Sequence, residues 1–212
     1  SQSYSIKNNM LYLVRHGQTN GNAQRVVQTG ETPLNQIGEE QAFLVANSLK
    51  RTGAKLVLSS DYQRAHQTAK KIASACGCSV KLTSCLRERD FGELKGKSYG
   101  EFGEIDVFAE DYVPPKGESA PDFHRRVKKA WVEVTQTYSE IQAPVIVVTH
   151  GLVLKSLINN QLEKIESGIP ENFLAENTSV TTVAPITPWK VISLANTEHL
   201  GKLKKDTELG SI

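Results

Sequence analysis

The sequence predicts an α/β protein, a three-layer α/β/α sandwich on a mostly parallel central sheet. Two patterns carry this expectation. Short apolar runs, Met10–Val14, Lys55–Ser59 and above all Val145–Val148, alternate with segments whose apolar residues recur at helical spacing. Strands that are apolar on both faces belong in sheets covered on both sides, the arrangement of parallel strands joined by crossover helices. The length agrees, because 212 residues can bury roughly 70% of the surface exposed when unfolded, enough for a core without disulfides or metal.

The elements follow in order. Met10–Val14 is the first strand, and Ile37–Leu49 is a helix with Ala42, Val45, Ala46 and Leu49 on one face. Lys55–Ser59 is the second strand, Tyr62–Ala75 an alanine-rich helix, and Val80–Leu82 a short third strand. Residues 97–120 read as irregular, and Pro114-Pro115 breaks any helix there. Ser119-x-x-Asp122 then gives the N-cap signature of a helix running to about Ile141. Val145–Val148, the most apolar run, must be a central strand; Thr149-His150-Gly151 and a helix from Leu152 to about Leu162 follow it. Val180–Val183 and Val191–Leu194, separated by Pro185 and Pro188, close the fold as two strands. The expected organisation is a single domain over residues 10–200, with 97–120 as an insert. Residues 1–9 are expected to form a flexible N-terminal segment or tag, and 201–212 a flexible tail.

Composition narrows the partners. Lys+Arg 25 against Asp+Glu 23 gives a net charge of +2, short of the clustered basicity of a nucleic-acid binder. No apolar run approaches the ~18–20 residues that span a bilayer, so neither nucleic acid nor membrane is an expected partner. Cys76, Cys78 and Cys85 are odd in number and bunched, without the paired C-x-x-C spacing of structural zinc. Such usage fits a reducing, cytoplasmic location. Ser1–Asn9 has no apolar stretch of the kind a signal peptide requires. A monomer or homodimer is expected.

Two of the five histidines occupy matched positions, just past an apolar strand and immediately before a glycine: His16 in Val14-Arg15-His16-Gly17 and His150 in Val148-Thr149-His150-Gly151. Both should therefore project at the carboxyl edge of the sheet, where open α/β sheets bind ligands. The glycines are expected to allow a tight turn and close ligand approach. Arg15 adjoins the first histidine, Arg64 lies in the first turn of the helix after the second strand, and Glu88 follows another short apolar stretch. Together these residues suit phosphoryl transfer. A phosphate monoester carries about −1.5 to −2 charges near neutral pH, and its loose transition state spreads charge over three oxygens. Arginine forks match two such oxygens at once. A neutral imidazole is a competent nucleophile that divides one slow hydrolysis into two easier steps. The same histidines and Glu88 could instead be read as a two-histidine-one-carboxylate iron site, which two adjacent arginines disfavour.

Leu13-Val-Arg-His-Gly-Gln-Thr19, Asn22, Pro33-Leu34, Gly38, Ser59-Ser-Asp61 with Arg64 and Thr68, Leu86-Arg-Glu88 with Phe91-Gly92, Thr149-His-Gly151, Asn177-Thr-Ser-Val180 and His199-Leu200 together resemble the histidine phosphatase superfamily. The superfamily contains cofactor-dependent phosphoglycerate mutases and many phosphatases. The resemblance runs from Leu11 to about Leu200 and implies a phosphoglycerate mutase-like fold. It also implies that His16 becomes phosphohistidine, that Arg15, Arg64 and His150 hold the phosphoryl oxygens, and that Glu88 protonates the leaving oxygen and then activates water. Asn22, Thr29 and Gly151 are implied as further substrate contacts. No metal and no cofactor are expected, the arginines standing in for a metal ion. A carboxyl facing a bound phosphate should have a raised pKa, while the arginines should keep His16 unprotonated. Two positions depart from the family pattern: Gln18 and Lys95 stand where glutamates are common.

The insert bears on the substrate, a small phosphorylated metabolite. Residues 97–113 hold Glu101, Glu104, Asp106, Glu110 and Asp111 against Lys97 alone, a balance of −4. If those acids face the site they repel a second phosphate, while Tyr99, Phe102, Phe108 and Tyr112 wall a partly apolar leaving group. Hydrolysis of a phosphate monoester is therefore expected in preference to the alternative, mutase action. The run His124-Arg-Arg-Val-Lys-Lys129 is expected to be the wet face of a helix.

Overall fold

A computed structural model describes residues 9–206 and residue 212. The expected N-terminal segment, apart from Asn9, and residues 207–211 of the expected tail lie outside the described residues. Glu198–Asp206 forms turns of 3₁₀ helix kinked at Gly201, so that part of the expected tail has regular backbone.

Six strands form one sheet: β1 (Leu11–Arg15), β2 (Leu56–Ser60), β3 (Ser79–Thr83), β4 (Val145–Thr149), β5 (Val180–Val183) and β6 (Val191–Asn196), in the order β3-β2-β4-β1-β5-β6. The first four are mutually parallel, and β5 and β6 run antiparallel at one edge. The helices are α1 (Asn20–Gln24), α2 (Gln36–Leu49), α3 (Gln63–Cys76), α4 (Ala120–Ile141) and α5 (Gly151–Asn160). Observed strand and helix limits match the expected ones to within two residues.

Alternation of side chains along the strands builds two cores. Leu11 and Leu13 of β1 with Val145 and Val147 of β4 pack against Phe123, Val127 and Trp131 of α4 and Leu154 and Leu157 of α5. Val14, Ile146 and Val148 point the other way, onto Val45 and Leu49 of α2 and Ala65, Ala69 and Ile72 of α3. The sandwich thus has α2 and α3 on one face and α4 and α5 on the other. Ser119 starts α4 as expected, its hydroxyl accepting from the Asp122 amide.

Topology fixes where a site can form. The chain leaves β1 for α2 and β2 on one side, whereas it leaves the adjacent β4 for α5 and β5 on the opposite side. At such a switch point neighbouring connections diverge and leave a crevice at the carboxyl ends. Arg15 pairs with Thr149 in the parallel register, so His16 and His150 flank that crevice from adjacent strands. Among the described residues no helix is long and apolar enough to cross a membrane.

Candidate active site

The two strand-end histidines meet. Their ring centroids lie 5.0 Å apart with planes tilted by 59°, and both side chains are buried. The His16 Nδ1 lies 2.7 Å from the Gly17 carbonyl oxygen. A carbonyl only accepts, so Nδ1 carries the proton and Nε2 keeps the lone pair. For His150 the corresponding contact is Nε2 to the Ser60 hydroxyl, at 2.8 Å. That hydroxyl also accepts from the Tyr62 amide; where it gives its own proton to His150 Nε2, the ring proton stands on Nδ1. His150 Nδ1 is buried and has no hydrogen-bond partner among the described residues. An orphaned buried donor of this kind fits an anionic oxygen.

Arg15 and Arg64 bring the positive charge, and both are buried. Arg15 Nη1 donates to the Ala175 carbonyl at 2.7 Å, and Arg64 Nη1 donates to the Thr29 carbonyl at 2.6 Å. Burial pulls each guanidinium down to about 10, with Glu88 opposing that shift, so both remain charged at neutral pH. Burial first, then Arg64 and Arg15, holds His16 well below the ordinary histidine value. His150 is lowered by burial, then Arg64 and His16. Desolvation therefore outweighs the arginines as the cause of the neutral imidazoles, where arginine alone was expected.

Glu88 faces the group from the other core. Its carboxylate accepts from the Arg89 amide at 2.9 Å and from the Leu152 amide, in the first turn of α5, at 3.0 Å. Burial raises its pKa, and those amides with Arg64 and Arg15 only partly offset the rise. The raised value was expected from a bound phosphate; enclosure by the protein supplies it.

Asn22 and Gln28 add donors. The Thr19 amide donates to Asn22 Oδ1 at 3.1 Å, which turns the Nδ2 group outward. The Thr19 hydroxyl donates to Gln28 Oε1 at 2.5 Å and fixes that amide in the same sense. Asn22 Nδ2, Gln28 Nε2 and the Tyr99 hydroxyl converge on one acceptor, the Ile212 main-chain oxygen, at 2.9, 3.1 and 3.4 Å. Two segments distant in sequence, one around Asn22 and Gln28 and one at Tyr99, thus aim donors into the same space. Asn177 Nδ2 braces the His16 loop by donating to the His16 carbonyl at 3.1 Å.

Thr29, expected as a substrate contact, is exposed, and its hydroxyl accepts from the Glu31 amide. Its contribution is the carbonyl that holds Arg64, and Gln28 is the neighbour that lines the pocket. Packing also requires the glycines. A Cβ on Gly17 would come within 2.6 Å of the Gly38 carbonyl oxygen, and one on Gly151 within 2.8 Å of Leu174. The five acids of the insert are all exposed. Tyr99 and Phe108 line the pocket instead, and Arg89 and Lys95 are the charged residues beside them. No regular period sorts a 3₁₀ and turn segment into faces, and its aromatics turned inward to bury apolar area with Val27, Phe91, Leu94 and Val107. Lys95 pairs with Asp90 at 2.8 Å, and Gln18 Oε1 accepts from Asn35. The run from His124 is also not simply a wet face. His124 contacts Ser156 and Glu110, and Arg126 turns in beneath Glu88. Among the described residues no group of three or more His, Cys, Asp or Glu is placed to hold a metal ion, so the iron-site reading lacks its ligand set.

A family model described as the histidine phosphatase superfamily (branch 1) matches residues 11–196, and the chain belongs to that superfamily. Probable phosphoglycerate mutase GpmB of Escherichia coli O1:K1 is 35% identical over 161 residues, which cover 72% of this chain and 74% of the relative. The structure of mycobacterial glucosyl-3-phosphoglycerate phosphatase in complex with VO3 aligns with a TM-score of 0.76 at 25% identity, covering 89% of this chain and 100% of the other. Phosphoglycerate mutase from Bacillus anthracis str. Sterne aligns with a TM-score of 0.76 at 24% identity over 92% of this chain and 96% of its own. The fold is phosphoglycerate mutase-like.

Proposed function

We propose that the protein is a metal-independent phosphatase that hydrolyses small phosphate monoesters through a phosphohistidine on His16. The observation that carries this reading is the pairing of a neutral, oriented imidazole with two buried guanidinium groups. His16 presents a lone pair on Nε2 while Arg15 and Arg64 supply fixed positive charge for the phosphoryl oxygens. His150 Nδ1–H and Asn22 Nδ2–H complete the donor set, with Gly151 leaving room for Arg15, whose guanidinium carbon lies 3.4 Å from where a Cβ would stand.

In the first step the Nε2 lone pair forms the N–P bond as the bridging P–O bond breaks. The departing oxygen keeps that electron pair and takes the proton of Glu88, whose pKa burial raises in the direction a proton donor needs. In the second step a water oxygen attacks phosphorus and Glu88 accepts the water proton. The P–N bond breaks, its electrons return to Nε2, and inorganic phosphate leaves. Each group ends as it began.

Tyr99, Phe91, Phe108 and Val27 wall the leaving-group side, which supports a partly apolar alcohol. The name of the Escherichia coli relative supports a second reading, mutase transfer, in which the phosphoryl group passes to another hydroxyl. A phosphate-release screen over a panel of monoesters separates the two, with His16→Ala as control. Release of inorganic phosphate without added bisphosphate, lost in His16→Ala, supports the phosphatase; isomerisation of phosphoglycerate without release supports the mutase. We place the enzyme in the cytoplasm on its three free thiols, Cys76, Cys78 and Cys85.

A further inference from the structure

The loop that carries Glu88 has little regular structure of its own: a short 3₁₀ turn, Ser84–Leu86, leads into an extended Arg87. Its carbonyls nonetheless all have donors. Arg126, on α4, donates through Nη1 to the Cys85 carbonyl at 2.9 Å and the Arg87 carbonyl at 2.7 Å. Its Nη2 reaches the Glu88 carbonyl at 3.3 Å and Glu118 Oε1 at 2.8 Å, and its Nε reaches Glu118 Oε2 at 2.9 Å. The intervening Leu86 carbonyl accepts from the Thr149 hydroxyl at 2.7 Å. All five N–H groups of one guanidinium are therefore engaged. Glu118 extends the clamp, since Oε1 also accepts from the Asp90 amide at 3.1 Å and its carbonyl accepts from Arg89 Nε at 3.1 Å. The guanidinium lies 5.3 Å from the Phe123 ring centroid, and the Arg126 and Glu118 side chains are only 22% and 17% exposed, so water competes weakly for these bonds.

We infer that Arg126 is a positioning residue for Glu88: by holding the Cys85, Arg87 and Glu88 carbonyls and Glu118 together, it sets where the proton-donating carboxyl stands relative to the leaving oxygen. This rests on the reading of Glu88 as the acid. The fork geometry is essential, because lysine offers three donors from one point and cannot span the same acceptors. A proton donor displaced by about 1 Å loses on the order of 10²-fold in rate.

The chemistry provides a readout that a merely structural role does not move. An alkyl leaving group needs the proton, whereas 2,4-dinitrophenolate departs without one. Arg126→Lys and Glu88→Gln are compared by kcat/KM on the fastest alkyl monoester of the panel and on 2,4-dinitrophenyl phosphate, because kcat/KM reports the step in which the P–O bond breaks. For Glu88→Gln the alkyl ester is expected to fall by about 10²–10⁴-fold and the activated ester far less. For Arg126→Lys the expected fall is about 10–100-fold on the alkyl ester and within about threefold on the activated one. Equal falls on both esters in Glu88→Gln would remove the acid assignment itself. A selective Glu88→Gln with an Arg126→Lys that is impaired equally on both, or on neither, would overturn the positioning role alone. If Arg126→Lys does not fold, Glu118→Gln keeps an oxygen for Arg126 while removing its charge. It should then show the same selectivity at smaller amplitude, and its absence overturns the inference.

Discussion

Thr68 ties the loop that follows His16 to Arg64, and replacing it tests how the site is held. Its hydroxyl accepts from the Gly17 amide at 3.0 Å and donates to the Arg64 carbonyl at 2.9 Å, and the side chain is fully buried. Thr68→Val keeps the volume and branching but strands the Gly17 N–H; the Arg64 carbonyl keeps its helical partner one turn on. An unsatisfied buried donor costs about 1–3 kcal/mol. At roughly 2–4 °C per kcal/mol for a chain of this size, the melting temperature should fall by about 2–12 °C. Turnover should fall by about tenfold or more, because Gly17, whose amide is stranded, also carries the carbonyl that orients His16. Thr68→Ser restores the hydroxyl and should recover most of both losses. Calorimetry with steady-state phosphate release reads both quantities. A valine variant as stable and active as the parent, or a serine variant as impaired as valine, would refute the reasoning.

Other outcomes follow from the same geometry. His16 reacts neutral and lies below its ordinary 6.5, while Glu88 reacts protonated and lies above its ordinary 4.5. In a pH profile of kcat/KM, activity should be lost on the alkaline side as Glu88 ionises and on the acid side only well below 6.5; an acid limb at the free-histidine value would count against the site's electrostatics. Gly38→Ala places a Cβ 2.0 Å from the Gln18 carbonyl oxygen and should destabilise by about 1–3 kcal/mol in denaturant titration; an unchanged midpoint would show that the contact relaxes freely. Phosphate release should persist in excess chelator, and a loss restored by a divalent cation would mean that the arginines do not suffice.

Much of the fold was legible because central parallel strands carry an unbroken apolar signal, as Val145–Val148 does. His16 and His150 were legible for a related reason: each is the first reactive residue past such a strand, and adjacent parallel strands bring their ends together. Thr68 offered a usable signal, lying four residues after Arg64 and so on the same helix face. Arg126 did as well, at i+3 from Phe123 and i−4 from Ala130, on the margin of the buried stripe of α4. Its basic neighbours disguised it, since Arg125, Lys128 and Lys129 are exposed. The inward aromatics of the insert and the role of Gln28 left no periodic trace. They depend on contacts between irregular segments, such as the Thr19 to Gln28 bond, and only tertiary structure decides which side chain of such a segment faces inward.

The most direct measurement is a rapid base-quench of enzyme mixed with a ³²P-labelled monoester, followed by peptide mapping at alkaline pH and by acid treatment of a parallel sample. The account requires a base-stable, acid-labile label on the peptide bearing His16, formed and lost at rates consistent with turnover and absent in His16→Ala. A label on a different residue, or sustained phosphate release by His16→Ala, would contradict it.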